Sequence, residues 1–173
     1  ENTNPFKSVF SYALMRDEKG QEMHKSKGNS IEFIEASEKM GVDAMRWVFT
    51  RQNPAQNLNF GYRTVDDVRR RFLIPLWNVY SFFVTYANID AFNPTPHQDR
   101  LSKSELDMWI LSELNSLIST VTNNLDNYDP SNASRHLEEF VELLSNWYVR
   151  RSRRRFWKSE NDEDKLSAPR AGG

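Results

Sequence analysis

Asp129-Pro130-Ser131-Asn132-Ala133-Ser134-Arg135-His136-Leu137-Glu138-Glu139-Phe140-Val141-Glu142-Leu143-Leu144-Ser145-Asn146-Trp147-Tyr148 reads as one helix whose start is written into its first two residues. An aspartate can cap the free N–H groups of a first turn, and a proline at the first helical position loses nothing by lacking its own N–H. Leu137, Phe140, Val141, Leu144 and Tyr148 then recur at spacings of three and four, which lines them along one face of a helix. Such a stripe needs something apolar to cover it.

Working outward, the next candidate partner lies upstream. From about Ser104, Leu106, Ile110, Leu114, Leu117, Ile118, Val121 and Leu125 keep the helical period over more than five turns. A third stripe begins at Thr64, a candidate N-cap with Asp67 three residues on, and runs through Val68, Phe72, Leu76, Val79, Tyr80, Phe83 and Tyr86. Pro75 is expected to kink it. Trp77, Tyr80 and Trp109 fit core positions by their spacing. The Asn93-Pro94-Thr95-Pro96 stretch and the short turn at Asn127 to Pro130 separate the three helices, and such short links make neighbours antiparallel. The fold class is therefore mainly all-α: a helical bundle over residues 63–158, preceded by a short mixed segment that looks like the end of another domain.

That earlier segment is different in kind. Phe6 to Leu14 carries Phe6, Val9, Phe10 and Tyr12 and leads into Arg16-Asp17-Glu18-Lys19-Gly20, the pattern of an extended stretch, a candidate strand, entering a turn. Met23-His24-Lys25-Ser26-Lys27-Gly28-Asn29 is polar and small with no period, hence a loop. Ile31, Ile34, Ala36 and Met40 up to Gly41, then Val42 to Thr50, form two short helices broken at the glycine. The domain reading is residues 1–30 as the end of a different domain, 31–62 as a helical connecting segment, 63–158 as the bundle, and 159–173 as a loose tail in which Glu160, Asp162, Glu163 and Asp164 sit without apolar period.

Composition narrows the chemistry. The chain has 173 residues, 38% hydrophobic and 13% aromatic, enough apolar material for a packed core. It has no cysteine, which removes disulfides and thiolate metal sites, and its three histidines, His24, His97 and His136, are scattered, so no protein-held metal is expected. The overall charge of −1 conceals a basic block: from Pro130 to Lys158 seven basic residues face three glutamates, a net +4. No apolar run reads as long enough to cross a bilayer, and the opening Glu1-Asn2-Thr3-Asn4-Pro5 has neither the basic nor the apolar region of a secretion signal, so a cytoplasmic, internal piece of a longer polypeptide is expected.

Two stretches carry candidate chemistry. Arg150, Arg151, Arg153, Arg154 and Arg155 close the last helix, interleaved with Trp147, Tyr148, Phe156 and Trp157. Arginine forks pair with phosphates and aromatic rings stack on bases, so Arg150, Arg151, Arg153, Arg154, Arg155 and Trp157 form a candidate RNA-binding set. Cations also suit a helix C-terminus, and five arginines within six positions cannot all face one way, so some should pair with carboxylates in the bundle. Trp147 fits the core better than a base platform. Arg69-Arg70-Arg71 reads equally as a solvated face or a second contact, and His136 and His97 as surface residues.

The other stretch, Glu22-Met23-His24-Lys25-Ser26-Lys27-Gly28-Asn29, resembles the KMSKS loop of class I aminoacyl-tRNA synthetases, with Met23, Lys25 and Ser26 in register and Gly28-Asn29 following. Glu22 and His24 stand where the pattern has its first lysine and first serine. Downstream, Gly41-Val42-Asp43-Ala44-Met45-Arg46-Trp47, Leu76-Trp77-Asn78-Val79-Tyr80-Ser81-Phe82-Phe83, Asp107-Met108-Trp109-Ile110-Leu111-Ser112, and the Leu144 to Trp157 block resemble the isoleucyl group of that class, in the same order, over about residues 6–158. The Asn-Trp-Tyr-Val-Arg-Arg block at 146–151 favours that group over its valyl and leucyl relatives; a free-standing helical RNA-binding module is the rival of a different class.

The resemblance implies a fragment running from the signature loop to the anticodon-binding helical domain. The parent would be an enzyme that activates isoleucine with ATP and Mg²⁺ and charges tRNA(Ile), as a monomer with no membrane partner. It implies Lys25 as the catalytic lysine and Met23, His24, Lys25, Ser26, Lys27 and Gly28 as ATP-binding, with Lys27 a substitute for the missing charge. A mobile ammonium can stabilise charge on a leaving pyrophosphate. The other catalytic motif, the amino-acid pocket and the editing insertion are not in this stretch, so alone it is expected to be inactive.

Overall fold

In a computed structural model, residues 4–93 and 104–157 are described. The expected loose tail at 159–173, and with it Lys158 and His97, lies outside them. The chain divides into two compact units, residues 1–68 and 69–173.

The first unit contains β1 (Met15–Arg16), a 3₁₀ turn at Lys25–Lys27, α1 (Phe33–Met40), α2 (Val42–Arg51), β2 (Leu58–Asn59) and α3 (Tyr62–Val68). Gly41 separates α1 from α2 at φ 82°, a conformation that strains any side-chain-bearing residue, as the sequence anticipated. Ala36, Met40, Ala44, Met45, Val48, Phe60, Val65 and Val68 make the core, with Phe49 and Phe60 stacked at 5.4 Å. β1 pairs in parallel with β2, Met15 opposite Leu58 and Arg16 opposite Asn59. The expected strand over Phe6–Leu14 does not form. Strand pairing there is confined to two residues, and Phe6, Val9, Phe10, Tyr12 and Leu14 are exposed, because no neighbouring strand among the described residues offers them a ladder.

The start of α3 differs from the expected Thr64 cap. Its free N–H groups are taken by Glu18, whose Oε1 accepts from Arg63 N at 2.6 Å and Thr64 N at 3.2 Å, while the Thr64 hydroxyl donates back to the Asn59 carbonyl. Gly61 makes room for this: a Cβ there would run into the Glu18 side chain. A second tie joins α1 to α3, where Glu35 accepts from Lys39 at 2.7 Å and from the Tyr62 hydroxyl at 3.0 Å. The Lys39 ammonium, and after it the Tyr62 hydroxyl, hold the Glu35 carboxyl below its ordinary pKa.

The second unit contains a π-helical turn at Arg69–Leu73, α4 (Ile74–Ile89), α5 (Glu105–Asp126), α6 (Pro130–Leu143), a second π-helical stretch at Leu144–Val149, and α7 (Arg150–Trp157). The irregularity expected at Pro75 is a widened turn immediately before it, which accommodates a ring that crowds the preceding turn and a missing N–H. α6 begins at the expected Asp129 cap, and α5 begins after Ser104, where its apolar period was read to start, with no capping bond from the Ser104 side chain. The Asp129 side chain accepts from Asn132 N at 3.0 Å, which pulls its pKa below the ordinary value. The link between them closes tightly: Tyr128 takes φ 57°, and Asp129 N donates to the Asn124 carbonyl at 2.8 Å, ending α5. Small Ala133 and Ser134 are buried on α6, which packs along α5.

Ile110 and Tyr148 centre this core, with Leu106, Trp109, Phe140, Leu144 and Val149 against them. Phe156 joins by edge contact with Phe82 at 4.9 Å and by Tyr86 at 5.7 Å. Trp109 is half-buried as its spacing implied, but Trp77 and Tyr80 are exposed, at 66% and 56%, so these two are corrected from core to surface. Contrary to the reading that no run is long enough, the helical residues Tyr62–Ile89 satisfy the length and composition of a bilayer span. The first third of that run nevertheless carries Arg63, Asp66, Asp67, Arg69, Arg70 and Arg71.

Candidate functional site

In the first unit, the loop suggested by sequence is an exposed cationic turn on a fixed base. His24 to Gly28 are exposed and Met23 is half-buried. Two backbone bonds shape the turn, Lys27 N to the His24 carbonyl and Gly28 N to the Lys25 carbonyl, both 3.1 Å. Gly28 closes it at φ 68°, and nothing lies within 4 Å of where a Cβ would stand, so the glycine answers to the backbone conformation rather than to crowding.

Lys25 Nζ rests 2.9 Å from Glu32 Oε1, both side chains mostly in water, while His24 Nε2 lies 3.5 Å from Glu22 Oε2. A pair so exposed contributes only about 0–1 kcal/mol. It can therefore yield to a more highly charged anion. Lys27 has no ion pair among the described residues and borders a cleft of about 380 Å³ shared with Asp17, Asn29, Ile31, Phe60 and Tyr62.

Asn29, which the sequence offered only as part of the loop's resemblance and without a role, holds the loop's base. Its Oδ1 accepts from His24 N at 2.9 Å, and its Nδ2 donates to Asp17 Oδ2 at 2.9 Å and to the Glu22 carbonyl at 3.1 Å. Asp17 Oδ1 in turn accepts from Lys19 N and Gln21 N at 3.0 and 2.8 Å. The Asn29 amide, followed by the backbone N–H of Gln21, holds the Asp17 carboxyl below its usual pKa. A small polar residue twelve positions from an aspartate in a turn gives no periodic signal, so only the folded geometry joins them.

In the second unit, the basic block sorts by helical face. Tyr148, Ser152 and Phe156 are buried, four residues apart, and Arg155 turns inward with them. Its Nη1 and Nη2 meet Asp107 Oδ1 and Oδ2 at 2.6 and 2.8 Å, and Asp107 is wholly buried. Arg155 is thus a bundle ion pair, which removes it from the solvent-facing set. Arg150, Arg151, Arg153 and Arg154 lie outside that packed face, and all four are exposed. Arg151 lies over the Trp147 ring at 5.8 Å and Arg153 over Phe82 at 5.9 Å, and none of the four forms an ion pair among the described residues. Trp147, expected in the core, is 54% exposed. The side chain of Trp157 lies outside the described residues.

Burial and the neighbouring Asp107 charge push the Tyr148 hydroxyl far above an ordinary tyrosine. The neutral form is the one the fold favours, so its stabilising contribution is complete below about pH 10 and is lost only as pH climbs toward the raised value. Phenolate absorbance during alkaline titration of the native chain should show a late step that Tyr148→Phe removes; a Tyr148→Phe curve identical to the parent's in its last step would refute the assignment.

The sequence profile described as "Anticodon-binding domain of tRNA ligase" matches residues 107–171, and that described as "tRNA synthetases class I (I, L, M and V)" matches residues 1–61. Over 96% of its length the chain is 53% identical to the isoleucine–tRNA ligase of Dehalococcoides mccartyi (strain ATCC BAA-2266 / KCTC 15142 / 195) and 45% identical to that of Clostridium tetani; over 94% it is 45% identical to that of Thermus thermophilus. The chain spans 16% of the length of each of these relatives.

Proposed function

We propose, because the chain belongs to the class I tRNA synthetases and within them to the isoleucyl group, that it supplies the phosphate-facing loop and the tRNA-gripping bundle of an isoleucine–tRNA ligase. The parent enzyme would form isoleucyl-adenylate from isoleucine and ATP and pass the acyl group to tRNA(Ile), working as a cytoplasmic monomer. The observation that carries this reading is the order in one chain of an exposed lysine loop and a four-arginine helix face, with identity to isoleucine–tRNA ligases sustained over 96% of the residues.

In that reading Lys25, with Lys27, Ser26 and His24, holds the ATP phosphates, Met23 seats the loop and Gly28 sets its turn. Mg²⁺ would be held by the ATP phosphates rather than by side chains of this chain, and would supply charge neutralisation there when bound. Lys25 is the group placed to stabilise charge on pyrophosphate as the bond to the α-phosphorus breaks.

On the bundle, Arg150, Arg151, Arg153 and Arg154 meet RNA phosphates. Filter binding of tRNA(Ile) across a salt series should give a steep decline in affinity with salt. Each of Arg150→Ala and Arg154→Ala should reduce the log–log slope by about 1. Equal affinity for an unrelated tRNA at every salt concentration would reduce the bundle to a nonspecific basic surface, and unchanged slopes in both variants would remove these arginines from the interface.

A further inference from the structure

Beyond the loop's own cations, the base on which it stands is built from one amide. Asn29 uses both ends of its side chain: the oxygen takes the His24 backbone N–H, and the nitrogen gives its two protons to the Asp17 carboxylate and the Glu22 carbonyl. Those partners fix the amide's orientation, since the reverse assignment would set oxygen against a carboxylate and a carbonyl. The loop between residues 22 and 29 is therefore closed into a ring by a side chain, independently of the 3₁₀ turn at its tip. Asp17 is itself immobilised by Lys19 N, Gln21 N and its own backbone bond to the Gln21 carbonyl at 2.9 Å. The contrast with Lys25 is sharp: the tip rests on one exposed ion pair, the base on a chain of short, directed bonds.

We propose that Asn29, braced by Asp17, is a positioning residue that sets where Lys25 stands, so that the lysine can leave Glu32 for a phosphate without the loop's root moving. This rests on the ATP-binding reading of the loop. Leucine or alanine at position 29 would abolish all three bonds. Aspartate would keep only the acceptor and set a second carboxylate against Asp17. No other single side chain of this size offers one acceptor and two donors in the same plane.

The test uses the full-length parent polypeptide and isoleucine-dependent exchange of pyrophosphate into ATP. Asn29→Ala should lower kcat by about 10²-fold, the cost typical of a catalytic group displaced by an ångström, with KM for isoleucine unchanged. Combined with Lys25→Ala, it should add almost nothing, because a residue that acts through Lys25 has nothing left to position. Asn29→Asp should be at least as poor, and Asp17→Asn in the same chain should recover much of that loss, since the amide then carried at position 17 can donate to the carboxylate carried at position 29.

Equal losses from Asn29→Ala with and without Lys25, or no recovery in the double variant, would overturn the proposal while leaving the ATP reading intact. If Lys25→Ala and Lys27→Ala each leave exchange unchanged, the ATP reading fails first and the clamp's role fails with it; if only Lys25→Ala does, the ATP reading stands and the clamp's role fails alone. Should Asn29→Ala not fold in the parent, trypsin cleavage after Lys25 and Lys27 in Asp17→Asn decides instead: accelerated cleavage at an unchanged melting temperature supports the clamp, and unchanged cleavage overturns it.

Discussion

Replacing Asp107 with alanine should cost the second unit about 3–5 kcal/mol, the loss expected when one partner of a buried ion pair is removed and the other charge is left without compensation. Asp107 is fully buried and the Arg155 side chain is only 14% exposed, so water can rescue little of the stranded guanidinium. Geometry adds to the effect. The contact is bidentate, at 2.6 and 2.8 Å, and it joins α5 to α7 across 48 residues of sequence. Tyr148 also directs its hydroxyl to Asp107, so the same substitution strips a second buried polar group of its partner.

Urea unfolding of the chain, followed by circular dichroism, measures this loss directly. The companion variant, Asp107→Leu with Arg155→Met, should recover most of it, because a matched apolar pair replaces a buried ion pair at little cost. A loss below about 1 kcal/mol in Asp107→Ala would place the pair with ordinary surface bridges. That outcome would mean Arg155 is free to join its four neighbours facing solvent.

The helices were legible wherever a cap and a period coincided. Asp129-Pro130 begins α6 as read, because a capping group acts within one turn and needs no distant partner, and α5 starts after Ser104, where its apolar period begins. Depth was not legible. Period assigns a residue to a face, yet Trp77, Tyr80 and Trp147 sit on faces that the described residues do not cover, and Leu125 and Ile118 likewise remain exposed. Propensity around Phe6–Leu14 suggested a strand, but a strand exists only where a second chain segment pairs with it, and that is a long-range fact.

The candidate site divides along the same line. The loop's cations and the arginine block are local patterns that any reader of the sequence meets. Separating Arg155 from its neighbours required a buried carboxylate 48 residues earlier. A trace of that separation was present: Tyr148, Ser152 and Phe156 recur every four residues, and Ser152, the one small residue in the arginine run, marks the packed face. Asn29 left no comparable trace, because its partners Asp17, Glu22 and His24 meet only after the turn at Gly20 brings the chain back.

The largest effect on activity is expected from Lys25→Ala in the full-length parent: a fall of about 10²–10³-fold in kcat for isoleucine-dependent ATP–pyrophosphate exchange, with KM for isoleucine unchanged. That range is what the loss of one preorganised group facing developing charge costs elsewhere. The resting contact explains why the lysine is available. Its partner Glu32 is exposed, so the pair is weak, and a triphosphate offers several negative charges in place of one. Lys25→Arg should restore little, since a broad planar fork replaces a compact ammonium on a flexible stem. Lys27 provides the internal comparison. It has no ion pair among the described residues and borders the neighbouring cleft, so Lys27→Ala tests whether it substitutes for the family lysine replaced by Glu22. A smaller loss than Lys25→Ala, expressed mainly in KM for ATP, is expected if Lys27 binds phosphate before the chemical step and Lys25 acts within it. If Lys27→Ala instead removes kcat and Lys25→Ala does not, the reacting charge belongs to Lys27, and the Lys25–Glu32 contact is an ordinary surface bridge.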